Sequence, residues 1–247
     1  AFAFTKIKDI SIPKSVRMIG NFAFLNCKKL KSIQIDDESN LVRIGYDFLW
    51  GTLIKKFSIP KKIQKQISSF EDYIIYPSTS YLLEFYGLSA PPLTHITIPS
   101  NIKAIGYSAF SDFKYLTSVE INDISNSNLL EIRRNAFTNC TSLIEFKLPK
   151  SVQYFGERCF MNCFKYKAEI NICKKNIIYV YDSAFENSGI ISFDSKSNYI
   201  IIKENAFLNC ENLTNISVNA KFKCKIGCSA FMNCKSLKTA EIAVNTP

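Results

Sequence analysis

Histidine is almost missing from this 247-residue sequence, in which His95 is the only one. A catalytic device that pairs serine or cysteine with histidine is therefore restricted to a single position. The patterns G-x-x-x-x-G-K-[ST], G-x-G-x-x-G, H-E-x-x-H and G-x-S-x-G, which mark nucleotide, metalloprotease and hydrolase sites, are also absent. These absences argue against an enzyme, and we expect no catalytic residue, no cofactor and no metal site.

Long apolar runs are missing as well. No stretch of about 18 apolar residues occurs, so the sequence predicts no membrane-spanning helix. The first residues show no signal-peptide pattern. Because the chain opens inside a repeated phrase, at Ala1-Phe2, we expect both ends to be truncated from a longer array.

A single phrase returns along most of the chain. Residues 19–35 are IGNFAFLNCKKLKSIQI, and residues 226–242 are IGCSAFMNCKSLKTAEI. The common template is I-G-x-x-A-F-x-N-C-x-x-L-x-x-I-x-I-P. From Phe110 onward its Ala-Phe marker recurs every 22 to 27 residues. This period is typical of leucine-rich repeats.

Each template position predicts a piece of local structure. The alternation in L-x-x-I-x-I predicts a short strand with one buried face. A proline often follows and should end the strand, as at Pro13 and Pro99. Template glycines such as Gly20 and Gly156 predict either a positive φ or a close backbone approach. We expect the Ala-Phe pair to pack against the same pair in the neighbouring copies.

One unit cannot bury its own apolar face, whereas stacked units can. We therefore predict a single domain over residues 1–247, with about ten coils whose strands pair in parallel about 4.8 Å apart. Residues 64–92 lack the marker, which predicts a degenerate or inserted coil there.

The phrase AFxNCxxLxxIxIPxxVxxIGxxAF resembles the BspA-like leucine-rich repeats, a branch of the leucine-rich-repeat superfamily. The resemblance covers nearly the whole chain except roughly residues 64–92. It implies an α/β, β-rich, right-handed solenoid with a parallel sheet on its concave face. Short turns, short strands or 3-10 segments would form the convex face. The resemblance also implies a cell-surface or secreted protein of anaerobic bacteria or parasitic protists, several of which are implicated in adhesion.

The nine cysteines predict free thiols rather than a disulfide framework, because their number is odd. Zinc is not favoured at the four-residue spacing of Cys159 and Cys163, since Cys159 occupies the alanine slot of the template. Five cysteines share one template position, and we expect them to form a ladder inside the coil. These five are Cys27, Cys140, Cys163, Cys210 and Cys234.

The strand alternation also predicts an outward column of polar side chains on the concave sheet, where solenoids commonly bind partners. The alternative is that any half-buried strand must present polar residues to water. The predicted binding column consists of Gln34, Ser58, Thr97, Glu120, Lys147, Asn171, Asp194, Ser217 and Glu241, with Ser11 at its start.

A second candidate surface is an aromatic patch within residues 64–92. Its tyrosines could mark an interface, or they could belong to the core of a degenerate coil. The patch consists of Tyr73, Tyr76, Tyr81 and Tyr86.

The formal charge of +10 favours acidic partners, although it also serves solubility. The sequence thus predicts a non-catalytic leucine-rich-repeat scaffold for a protein or an acidic glycan, such as a host matrix or cell surface, with a role in adhesion. The alternative is a cytoplasmic scaffold, or a protein that binds polyanions or nucleic acid through its basic surface. No recognised nucleic-acid module is present, so we expect no specific nucleic-acid binding.

Overall fold

The computed structural model describes residues 2–41, 43–45, 48–58 and 92–244, in which short parallel strands are stacked turn upon turn. They form a solenoid of about nine turns. The strands are β1 (Asp9–Ile12), β2 (Met18–Ile19), β3 (Ser32–Ile35), β4 (Arg43–Ile44), β5 (Lys56–Ser58), β6 (His95–Ile98), β7 (Ala104–Ile105), β8 (Ser118–Ile121), β9 (Glu131–Ile132), β10 (Glu145–Phe146), β11 (Tyr154–Phe155), β12 (Glu169–Val180), β13 (Ser192–Ile202), β14 (Asn215–Ile226) and β15 (Thr239–Val244).

Each turn contributes to two parallel sheets. The first strand of a turn joins the leading sheet, in which neighbouring strands follow the orders β1-β3, β5-β6-β8-β10 and β12-β13-β14-β15. The second strand joins the return sheet, in which β2 neighbours β4. Further along, the order is β7-β9-β11, followed by the second halves of β12, β13 and β14. The predicted parallel solenoid is confirmed. The described ranges contain no helix, so the α element of the predicted α/β class is not found there.

Proline is one of the features that separate the two sheets, although β3 and β8 end at polar loops with no proline after them. Where Pro13, Pro99 or Pro149 follows the leading strand, the strand ends and a two-residue return strand comes later. No proline follows in the turns that start at residues 169, 192 and 215, so backbone donors remain available. In these turns β12, β13 and β14 run for 11 or 12 residues through both sheets. Register shifts after Cys173 and Ser197 bend the long strands.

The leading ladder is interrupted between β10 and β12. Tyr166 occupies the leucine slot of its turn and is completely buried. Its hydroxyl donates a hydrogen bond of 2.8 Å to the carbonyl of Phe146 in β10. Among the described strands, pairing stops at β10 and resumes at β12. The larger side chain therefore satisfies a carbonyl that a neighbouring strand would otherwise take.

The interior is organised by a column of phenylalanine rings, one from each Ala-Phe marker. Neighbouring rings are stacked with centroids 5.2–5.4 Å apart. Offset stacking of this kind stabilises aromatic pairs beyond the area that they bury. The prediction that the marker packs against its copies is confirmed. The continuous column consists of Phe110, Phe137, Phe160, Phe185, Phe207 and Phe231.

The turns use left-handed backbone at two slots that are four residues apart, and neither is the glycine slot. One slot precedes the alanine of the marker, and the other is the template asparagine, as at Asn135 and Asn139 with φ of 57° and 61°. Asparagine tolerates this conformation better than other non-glycine residues. Among the described glycines a positive φ is found at Gly51, where glycine replaces the asparagine. Positive φ was therefore the wrong alternative for the template glycines.

Close backbone approach is the correct explanation for three of the template glycines. A Cβ on Gly45 would lie 2.3 Å from the backbone nitrogen of Asn21. A Cβ on Gly156 would lie 2.5 Å from the backbone nitrogen of Arg134, in the preceding turn. At Gly227 it would lie 2.6 Å from the backbone nitrogen of Glu204. Gly20 is different, since a Cβ there would meet nothing within 4 Å.

Two polar ladders tie each turn to the one before it. In the asparagine ladder, each side-chain amide donates to the side-chain oxygen one turn back at 2.8–3.0 Å. The asparagine ladder consists of Asp112, Asn139, Asn162, Asn187, Asn209 and Asn233.

In the cysteine ladder, each thiol donates to the carbonyl of the marker phenylalanine one turn back. The Sγ–O distances run from 2.9 to 3.2 Å. All nine cysteines are free. The inward placement is confirmed for Cys27, Cys140, Cys163 and Cys210, whereas Cys234 is half-buried.

Candidate binding surfaces

The parallel register brings the predicted binding column into line. Ser11 lies opposite Gln34, and Thr97 lies between Ser58 and Glu120. Since Phe146 pairs with Val119, Lys147 follows beside Glu120. Ser11 with Gln34, and Ser58 to Lys147, form two separately paired blocks, and a third block runs Asn171, Asp194, Ser217 and Glu241 in successive strands.

The charged side chains of this outward column are not used to hold the fold, whereas Asn171 accepts a hydrogen bond of 3.2 Å from the Cys173 thiol. Within the described ranges, no hydrogen bond, ion pair or ring contact engages Glu120, Lys147, Asp194 or Glu241. The asparagine and cysteine ladders differ from the outward column, because their polar groups form hydrogen bonds with neighbouring turns. The outward column therefore offers free donors and acceptors at the spacing of parallel strands.

The charge of this face is opposite to that of the whole chain. A flanking column begins each leading strand, and with the outward column it presents six carboxylates and two lysines, although the protein carries a formal +10. The flanking column consists of Asp9, Ser32, Lys56, His95, Ser118, Glu145, Glu169, Ser192, Asn215 and Thr239. Within these two columns the balance of charge is therefore acidic, and the basic surplus of the chain lies elsewhere.

The structure also shows an aromatic cluster that the sequence interpretation missed. On the return sheet, Tyr154 pairs in register with Tyr179, and Tyr181 lies two residues beyond it. The ring centroids of Tyr154 and Tyr181 are 4.8 Å apart, and those of Tyr179 and Tyr181 are 5.6 Å apart. Tyr107 is 52% exposed, and the Arg133 guanidinium lies 5.5 Å from its ring centroid. We call these five side chains the tyrosine patch.

Electrostatics keep the tyrosine patch neutral at its centre. Burial, followed by a hydrogen bond with Tyr181, raises the pKa of Tyr154 above its ordinary value. The hydroxyl therefore stays protonated and can donate hydrogen bonds. Arg133 is also held by Glu131, with Nε 3.0 Å from a carboxylate oxygen.

The sequence carried one signal for this patch. Tyr154 and Tyr179 precede the inward residue of their return strands, an outward slot that alternation alone could have identified. The residue at that position differs from turn to turn, so it is not part of the repeat template. The predicted patch of Tyr73, Tyr76, Tyr81 and Tyr86 lies outside the described residues.

The buried thiols are poor candidates for chemistry. Burial raises the pKa of the Cys140 and Cys163 thiols well above the ordinary value, and it raises that of Cys210 to about 12. A thiol must ionise to act as a nucleophile. In the described ranges, no three histidine, cysteine or acidic side chains gather in a way that could hold a metal ion. Those ranges also contain no helix long and apolar enough to cross a membrane.

Solved structures with the same architecture come from bacteria. The leucine-rich repeat protein TpLRR of T. pallidum is 20% identical, with a TM-score of 0.52, over 74% of this chain and 78% of that one. A leucine-rich repeat protein from Bacteroides ovatus is 23% identical, with a TM-score of 0.49, over 94% of this chain and 66% of that one. A leucine-rich cell surface protein from Faecalibacterium prausnitzii is 19% identical, with a TM-score of 0.40, over 96% and 79%.

No curated protein matches the sequence significantly. The family described as "BspA type Leucine rich repeat region (6 copies)" matches residues 1–84, 81–174 and 130–246, which together span nearly the whole chain. Its repeat is the one that builds the phenylalanine column and the two polar ladders. The chain belongs to the BspA-type leucine-rich repeat family.

Proposed function

We propose that this chain is a non-catalytic scaffold that binds a protein partner on the outer face of its leading sheet. We further propose that it acts in adhesion, at a cell surface or after secretion. The family supports a leucine-rich-repeat scaffold with a protein-binding role. The surface location and the adhesive role rest on the resemblance described above.

The outward column is the observation that carries the proposal. Its polar side chains are aligned by the strand register, and intramolecular bonds leave Glu120, Lys147, Asp194 and Glu241 free. From Gln34 to Glu241 the column crosses nine strands, which at about 4.8 Å per strand gives a length of roughly 40 Å. A face of that length can provide the roughly 800 Å² per partner that a specific interface buries.

The acidic balance of the face narrows the kind of partner. Six carboxylates and two lysines attract a protein that presents lysine and arginine side chains. Rim charges act mainly on the association rate, so binding should weaken as salt rises. The whole-chain charge of +10 would predict the opposite preference, and the two predictions can be separated by experiment.

The test uses a panel of purified extracellular-matrix proteins and surface plasmon resonance. The triple variant Glu120→Lys, Asp194→Lys, Glu241→Lys should weaken the association of the bound protein at least about tenfold. The matched control is Asp36→Lys with Asp37→Lys, which makes charge reversals of the same kind in a loop between turns. Lys147→Glu should accelerate association.

Circular dichroism should show that all the variants keep the wild-type fold. If no protein of the panel binds, or if the triple variant binds like the loop control, the leading face is not the site. Antibody labelling of intact against permeabilised source cells tests the location. Labelling that requires permeabilisation would refute a surface role.

A further inference from the structure

The tyrosine patch lies on the return sheet and has no part in the function proposed for the leading face. We propose that the tyrosine patch, together with Lys203, Lys223 and Lys225, is a second binding site that takes an anionic glycan, a sugar polymer that carries sulfate or carboxylate groups. We call these eight residues the return-face site.

The aromatic half of the site offers surfaces suited to sugar rings. Tyr154, Tyr179 and Tyr181 are half-buried and pack against one another with centroids 4.8–6.3 Å apart, so their positions are held by mutual contact. Rings that are fixed before binding lose little conformational entropy when a ligand packs on them. An aromatic face accepts the apolar C–H face of a sugar, and the hydroxyls can hydrogen-bond to its oxygens.

The strand register continues the aromatic rows into lysines. Tyr179 lies opposite Ile201, which lies opposite Lys225. Tyr199, which is 39% exposed, lies opposite Lys223. Because the intervening inward residues such as Ile200 are buried, these side chains share the outer face of the sheet.

Three lysines on this face have no ion-pair partner among the described residues. Glu131 is engaged by Arg133 at 3.0 Å, and Glu157 lies 3.4 Å from Arg134. Within the described ranges, no carboxylate lies within ion-pair distance of Lys203, Lys223 or Lys225, and all three lysines are exposed. Two further carboxylates, those of Asp182 and Glu204, lie in the turns that follow Tyr181 and Lys203, outside the strands. The face thus carries a local positive surplus that complements an anionic polymer.

The spacing of the rows favours a glycan over the other anionic polymers. Successive turns are about 4.8 Å apart, a step close to the length of one sugar unit in an extended chain. The tyrosine rings are tilted by 36–55° against one another, so they form a shallow surface rather than parallel slots for bases. Nucleic acid would therefore find only the lysines, and its binding would be charge-driven and strongly salt-dependent.

The test measures binding of the full chain to heparin, as the sulfated probe, by isothermal titration calorimetry in about 0.15 M salt. Tyr179→Ala with Tyr181→Ala should weaken binding about tenfold, as loss of aromatic anchors does. Lys203→Glu with Lys225→Glu should weaken it at least as much. The matched charge control is Lys28→Glu with Lys29→Glu, on exposed lysines in the turn that precedes β3, and it should change affinity less than about twofold.

Three further arms decide between the polymers. Tyr179→Phe, which keeps the ring, should bind within about threefold of the wild type. Poly-glutamate and single-stranded DNA should bind more weakly than heparin, and without sensitivity to the tyrosines. Absence of heparin binding, or equal losses in the Lys28/Lys29 control, would overturn the site. Tyrosine-dependent binding of poly-glutamate or DNA would show that the site exists for another class of ligand and that the glycan assignment is wrong. None of these outcomes depends on the leading-face variants, so the two proposals fail separately.

Discussion

Replacing Asn162 separates the two roles of an asparagine-ladder residue. Its backbone has a φ of 62°, and its side chain donates to Asn139 and accepts from Asn187, both at 2.8 Å. Asn162→Gly keeps the backbone conformation and removes both hydrogen bonds. Asn162→Ala removes the same bonds and also places an alanine in the left-handed region.

The expected losses follow from these two contributions. Each hydrogen bond contributes about 0.5–1.5 kcal/mol, so the glycine variant should lose about 1–3 kcal/mol of unfolding free energy. Left-handed backbone costs a residue with a Cβ about 1–2 kcal/mol. The greater freedom of glycine in the unfolded chain offsets about 0.5–1 kcal/mol of that difference. Alanine should therefore be less stable than glycine at position 162 by about 1 kcal/mol.

Asn171 provides the matched control, because it lies in the extended strand β12. There the order should reverse, with glycine about 0.5–1 kcal/mol less stable than alanine. The measurement is urea unfolding followed by far-ultraviolet circular dichroism, with unchanged m-values. Alanine equal to or better than glycine at position 162 would refute the left-handed turn, and losses under about 0.5 kcal/mol in both variants would show that the ladder bonds contribute little.

Three further predictions concern the core and the turns. Phe137→Ala should lose about 3–5 kcal/mol of unfolding free energy in the same urea assay, because its completely buried ring stacks on both neighbours. The control Phe164→Ala, at a ring that is 54% exposed, should lose under about 0.5 kcal/mol. Equal losses in the two variants would contradict the stacked core. Gly156→Ala should lose more than about 1 kcal/mol, since its Cβ would collide with the preceding turn, and Gly20→Ala, which meets open space, should be neutral or stabilising in thermal unfolding. Burial raises the pKa of Cys210 from 9.0 to about 12, so the thiol's contribution to stability is complete below pH 9 and is lost as pH rises towards 12. Urea unfolding against pH should show a loss of stability above pH 9, and Cys210→Ser should make that loss smaller without removing it, since Cys140 and Cys163 remain.

The repeat made most of the interior predictable from sequence. Phe137, Cys140 and Ile132 each recur by identity at fixed spacing, and recurrence indicates that copies meet copies. The outward column was predictable for the same reason, because alternation fixes the direction of a strand residue once its inward neighbours are known. Whether that column binds a partner is a separate matter, and it stays a proposal.

Other features depended on information that lies between turns. Positive φ could have belonged to Gly156 or to Asn162, and only the backbone separates a close approach from a left-handed turn. The absence of proline permits the length of β12 to β14 but does not predict it, because β3 and β8 also lack a following proline and stay short. The register shifts that bend the long strands depend on pairing with neighbours. The contact between Tyr154 and Tyr181 spans two turns, so it became visible only when the register was known.

The asparagine ladder has a constant direction, since Asn162, Asn187 and Asn209 each donate an amide hydrogen to the turn before and accept one from the turn after. Deleting or duplicating one complete turn would place each side-chain donor beside an equivalent acceptor, so no amide at the new junction would lose its hydrogen-bond partner. A gene that gains or loses whole repeat units by recombination would therefore still encode a chain in which the turns at the new junction hydrogen-bond to each other. The number of turns can therefore change without any change in the hydrogen bonds that join neighbouring turns.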